Sequence, residues 1–182
     1  MKWFILFLEK RLREQNLKPS FVTWPQHTTN IVKRSFYRER FFLRGVFMNF
    51  KLNKLGSGER WELEKEAKGR PVMLTFWTSW CPDSYKDLAA KRALYQTMDQ
   101  DQLCFVTINV TGREGEVDLQ EWLKQHNHHF LVLKDDGTTV YDQFGCEGVP
   151  TTVLLNKELL VVNRFGENAS IASIMASLTT IV

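Results

Sequence analysis

One cysteine stands where an apolar run gives way to a proline and an acid: Phe76-Trp77-Thr78-Ser79-Trp80-Cys81-Pro82-Asp83-Ser84. Pro71 to Trp77 reads as a strand covered on both faces, because its apolar residues run almost without interruption. Pro82 is suited to the first position of a helix, and Asp83 complements the positive end of the helix dipole. Cys81 is therefore expected at the junction of a strand and a helix N-terminus. Free backbone N–H groups there favour the thiolate, which is the nucleophilic form of the side chain. Such a thiolate can attack a disulfide or a peroxide. Trp80 and Pro82 keep the approach partly apolar and the helix start rigid.

The other reactive side chains form no comparable pattern. Three cysteines, Cys81, Cys104 and Cys146, are an odd number at irregular spacing, which fits neither a disulfide framework nor a four-ligand zinc site. Cys104, inside Leu103-Cys104-Phe105-Val106, reads as a core residue. His126, His128 and His129 lack an acidic or cysteine partner at ligand spacing and read as a solvated turn. The charges from Glu114 to Glu121 and from Glu62 to Lys68 read as solvated faces. No cofactor and no metal is implied.

The elements that must position Cys81 follow from the patterning. Phe50 and Leu52, then Trp61 and Leu63, alternate on either side of Gly56-Ser57-Gly58, predicting a hairpin. A helix is expected from Pro82 to about Met98, and a buried strand from Leu103 to Val110. Leu119, Trp122, Leu123 and His126 mark a second helix. Phe130–Leu133 predicts a short strand, Val140–Phe144 a helical turn, and Thr151–Leu155 with Leu159–Arg164 a second hairpin. Ile171, Ile174, Met175 and Leu178 predict a final helix capped by Asn168. This order specifies an α/β domain with a mixed sheet and helices on both faces.

Composition divides the chain. At 182 residues, 43% of them hydrophobic and 25% charged, it has the make-up of a soluble globular protein of one domain plus an appendage. Residues 1 to 50 hold ten basic side chains against three acidic ones, so the overall charge of +3 conceals an acidic remainder. The apolar run Trp3 to Leu8 is too short to span a bilayer. Residues 1–47 are read as a poorly ordered basic extension and 48–182 as the domain, with Met48 as the start of the working protein. A membrane-surface contact through residues 1–47 is the secondary expectation. No nucleic-acid partner is expected.

The stretch around Cys81, together with Gly148-Val149-Pro150-Thr151, resembles the thioredoxin-fold thiol-disulfide oxidoreductases of the TlpA/ResA type. The stretch from Asn49 through Val72 is similar to that group's N-terminal hairpin, and Thr111 to Gly145 to its central insertion. The resemblance covers residues 48 to 182. It implies a thioredoxin-like fold in which Cys81 is the attacking cysteine, Pro150 a cis-proline beside it, and Val149 a backbone partner for an extended substrate. Asp87 falls on an acidic position that adjusts the thiol in ResA-type proteins.

The departures matter as much. Ser84 stands at the second cysteine, Thr75 at the buried acid of thioredoxin, and Ala89 at a helix-kinking proline. The Ser84 hydroxyl can hydrogen-bond the Cys81 thiolate, but it cannot resolve a mixed disulfide. Release must then come from an external thiol or from Cys146, or else Cys81 is a peroxide-reactive sensor. Thr78-Ser79-Trp80-Cys81 is similar to the Thr-x-x-Cys of peroxiredoxins, but Leu74 stands where that family requires proline. Cys81-x-x-Ser84 is similar to monothiol glutaredoxins, yet Trp80 and Pro82-Asp83 do not match them. The expectation is a cytoplasmic, monomeric monothiol exchange protein. Cys81, Ser84 and Asp87 would carry the chemistry, while Trp80, Pro82, Val149 and Pro150 would hold protein or low-molecular-weight disulfides and thiols. A redox-inactive binding module is the alternative.

Overall fold

A computed structural model describes residues 45–67 and 69–181. The expected basic extension lies outside them, apart from Gly45, Val46 and Phe47. In chain order the elements are β1 (Lys51–Lys54), β2 (Arg60–Glu62), α1 (Leu63–Ala67), β3 (Val72–Trp77), α2 (Pro82–Thr97), β4 (Cys104–Asn109), a 3₁₀ turn (Thr111–Arg113), α3 (Leu119–Gln125), β5 (Val132–Lys134), α4 (Thr139–Gln143), β6 (Thr151–Leu155), β7 (Val161–Phe165) and α5 (Ile171–Leu178).

The strands form one sheet in the order β2-β1-β5-β4-β3-β6-β7. β3, β4 and β5 are parallel, and β6 runs antiparallel to β3. Every residue of β3, β4 and β6 is buried, as continuous apolar runs require when both sheet faces are covered. Val72, Leu74 and Phe76 belong to one apolar cluster with Trp61, Leu133 and Phe144. Met73 and Trp77, alternating with them, belong to a second with Leu88, Leu154 and Ile174. The period of two thus splits one strand between two cores.

Three sequence expectations change. Leu63 is not a strand residue: it opens α1 and is completely buried. The cap of α5 is Ser170, whose hydroxyl accepts from the Ser173 N–H, rather than Asn168 two residues earlier. The domain also begins before Met48. The Gly45 N–H donates to the Val161 carbonyl at 2.9 Å, and Phe47 pairs with Leu160 beside β7. No helix among the described residues is long and apolar enough to cross a membrane.

Candidate active site

β3 ends at Trp77, and four residues later Cys81 caps the N-terminus of α2 in an extended backbone conformation. Cys81 is 8% exposed, and its thiol donates to the Val149 carbonyl at 3.3 Å. The Val149-Pro150 peptide bond is cis, and β6 begins at the next residue. The expected neighbours Cys81, Pro82, Val149 and Pro150 are thus brought together from segments 68 residues apart.

The loop between β3 and Cys81 is held from the far side by Glu114. Its carboxylate accepts from the Ser79 N–H at 2.8 Å and the Ser79 hydroxyl at 2.7 Å. Asn109, opposite Trp77 in the β3–β4 register, donates a third bond at 2.6 Å. Trp80 is 57% exposed, with its indole N–H on the Arg113 carbonyl at 2.7 Å. Arg113 in turn donates to the Tyr141 hydroxyl at 2.6 Å and lies over that ring. Glu114 is therefore not one of a run of solvated charges, because the loop donors have drawn it in.

This turn is fixed by a close backbone approach. The Gly112 N–H donates to the Gly137 carbonyl at 2.8 Å, and a Cβ on Gly112 would stand 2.8 Å from the Gly137 carbonyl carbon.

Ser84 departs from expectation. Its hydroxyl is buried and has no hydrogen-bond partner in the structure, so it does not bond the Cys81 sulfur. The reason is helical geometry: Ser84, Leu88 and Lys91 form the buried face of α2, and this face is turned toward the sheet.

Asp87 also has another partner. Its carboxylate accepts from the Lys91 ammonium at 2.6 Å, and Lys91 reaches further to the hydroxyls of Thr75 at 2.9 Å and Thr152 at 2.5 Å. Burial pushes the Lys91 ammonium down, against the upward pull of Asp87. Sequence reading passed over Lys91; the available signal was its i,i+4 spacing from Asp87 and i,i+7 spacing from Ser84.

The remaining candidates make no hydrogen bond to Cys81, although Cys146 belongs to the same apolar cluster as Cys81 and Val149. All three cysteines are free and buried. Burial pushes the Cys146 thiol far up, only partly offset by Arg164, which makes it a poor resolving nucleophile near neutral pH. The Cys104 thiol is likewise pushed up by burial. His128 is 5% exposed rather than solvated, with its ring near-parallel to Trp122 and Phe130 at centroid distances of 5.8 and 5.1 Å. Neither ring nitrogen has a partner, and burial, assisted by Arg92, lowers its pKa to about 4. Among the described residues no cluster of three or more His, Cys, Asp or Glu side chains could hold a metal ion.

A cysteine at the strand-to-helix junction, facing a cis-proline loop across a mixed sheet, defines a thioredoxin-like protein. Residues 44–164 match the AhpC/TSA family, and the chain belongs to it. It is 29% identical over 136 residues to the thiol-disulfide oxidoreductase ResA of Halalkalibacterium halodurans, covering 72% of this chain and 75% of that one. It is 30% identical over 106 residues to ResA of Bacillus subtilis, covering 58% of each. Among solved structures it is similar to StoA from Bacillus subtilis, with a TM-score of 0.61 at 22% identity, covering 74% of this chain and 98% of that one. The structure of DsbF from MTB gives a TM-score of 0.61 at 20% identity, covering 73% and 95%. The sequence relatives are named thiol-disulfide oxidoreductases, and the solved structures share the fold.

Proposed function

We propose that the chain is a monothiol exchange protein. The Cys81 thiolate attacks one sulfur of a disulfide, forming a mixed disulfide and releasing the other sulfur as a thiolate, which takes up a proton. An external thiolate then attacks the substrate-side sulfur of the mixed disulfide and returns Cys81 to its thiolate. The observation that carries this reading is the placement of Cys81 at the start of α2 against the Val149 carbonyl, with a serine at position 84. Exposed Trp80 supplies an apolar rim for a protein or small-molecule disulfide.

Resolution by an external thiol is favoured over Cys146 because burial suppresses the Cys146 thiolate. The reading places a monomeric chain in a reducing compartment such as the cytoplasm, and three unpaired cysteines support that placement. One observation favours the binding-module alternative: Cys81 is buried and its thiol donates to a backbone carbonyl.

The two readings separate on mixing the full chain with a small aromatic disulfide and following both release of the aromatic thiol and mass. Exchange predicts stoichiometric adduct at Cys81 that added glutathione removes, and no adduct in Cys81→Ala. An unmodified Cys81 after prolonged incubation of folded protein would refute the exchange reading.

A further inference from the structure

The Lys91 side chain is completely buried, the most demanding position for an ammonium, which is expelled from protein interiors unless it is paired and hydrogen-bonded. Here its three donors meet three acceptors: the Asp87 carboxylate and the hydroxyls of Thr75 and Thr152. Thr75 and Thr152 stand directly opposite each other in β3 and β6. The nitrogen thus joins the helix that Cys81 caps, the strand that leads to Cys81, and the strand that follows Val149-Pro150.

We infer that Lys91 is a positioning residue of the Cys81 site, tying the Cys81 helix to the strand of the cis-proline loop and neutralising Asp87. This rests on the exchange reading for its purpose, but its test does not depend on turnover. Asp87 lies six residues beyond Cys81, about 9 Å of helix rise. A carboxylate left uncompensated at that range opposes a thiolate by about one pH unit. With Lys91 in place the pair presents no net charge.

The groups facing these residues are few. β3 and β6 present only Thr75 and Thr152 to the ammonium, and α5, packed on α2, carries no charged side chain. Around Cys81, Asp83 is paired with Lys86 at 3.0 Å, Arg113 lies over Tyr141, Glu114 holds Ser79 and Asn109, and Glu167 has its carboxylate beside Gly148. None of these is altered in the variants below.

The experiment is the pH dependence of Cys81 alkylation by iodoacetamide in the full chain, read on the Cys81 peptide by mass spectrometry. Lys91→Met keeps the unbranched shape of the side chain up to the position of Cε and removes its charge. Its midpoint is expected about one pH unit above that of the wild type. The double variant Lys91→Met, Asp87→Asn is expected to return most of that shift, which a purely structural role for Lys91 cannot produce. A Lys91→Met midpoint equal to the wild type, or a double variant shifted as far as the single, overturns the inference.

Should Lys91→Met fail to fold, Lys91→Gln takes its place, since its amide can still hydrogen-bond the threonine hydroxyls while carrying no charge. The same rise of about one unit is expected, and a midpoint equal to the wild type overturns the inference. Failure of the wild type to exchange disulfides, with these midpoints as expected, would refute the exchange reading and leave the role of Lys91 standing.

Discussion

Glu114 is the residue whose removal should say most about how the Cys81 loop is held. One carboxylate oxygen accepts from the Ser79 N–H and from Asn109, and the other accepts from the Ser79 hydroxyl. In Glu114→Gln the amide oxygen can keep the first pair, and the Ser79 hydroxyl can rotate to accept from the new NH₂ group. What is lost is the charge assistance, about 0.7 kcal/mol for each of three bonds, or about 2 kcal/mol in all. Glu114→Ala removes the acceptors altogether and strands the Ser79 N–H and the Asn109 amide, for a loss of about 4 kcal/mol. At about 3 °C per kcal/mol for a domain of this size, Tm should fall by about 6 °C in the first variant and about 12 °C in the second. Scanning calorimetry checks the order. Cys81, only 8% exposed, should also react faster with a bulky maleimide as the loop loosens. A Gln variant that melts with the wild type, or an Ala variant no worse than Gln, would show that Glu114 does not hold the loop.

Two stability predictions follow from other positions. The His128 imidazole is held down to about 4 from its ordinary 6.5, so the unfolded chain takes up this proton first as pH falls. Stability from this site is therefore full above pH 6.5 and is lost progressively toward pH 4, by about 3 kcal/mol. Urea unfolding at neutral and acid pH should show this component disappearing in His128→Phe, and an undiminished acid loss in that variant would contradict it. At Gly112 an added Cβ meets the Gly137 backbone at 2.8 Å, where no flexible side chain can give way. Gly112→Ala should lower the urea midpoint by the equivalent of about 2 kcal/mol; an unchanged midpoint would show that this turn yields.

The parts of the fold that were legible in the sequence are those where burial and apolar character coincide. β3, β4 and β6 are covered on both faces, and most of their residues are apolar. The junction at Cys81 was legible because proline and aspartate mark a helix start whatever lies beneath. Pattern fails where a polar side chain occupies a buried position. The inner face of α2 is Ser84, Leu88 and Lys91, so two of the three residues that bind the helix to the sheet would be assigned to solvent by type. Glu114 lies 35 residues from Ser79, and nothing local distinguishes it from Glu116. His128 stacks as an aromatic while being counted as a titratable group. The near miss at Ser170 is of another kind, since Asn168 and Ser170 are both cap residues two positions apart and only the course of the chain after β7 chooses between them.

The failures at Ser84, Lys91 and Glu114, all close to Cys81, share a physical reason. An apolar core would hold α2 against β3 and β6 equally well, but an apolar contact can slide, and directional bonds from one ammonium to two opposed threonines cannot. Placing a sulfur 3.3 Å from a particular carbonyl demands that restriction, and its only available source is buried polar groups, the class that hydrophobic periodicity is least able to find.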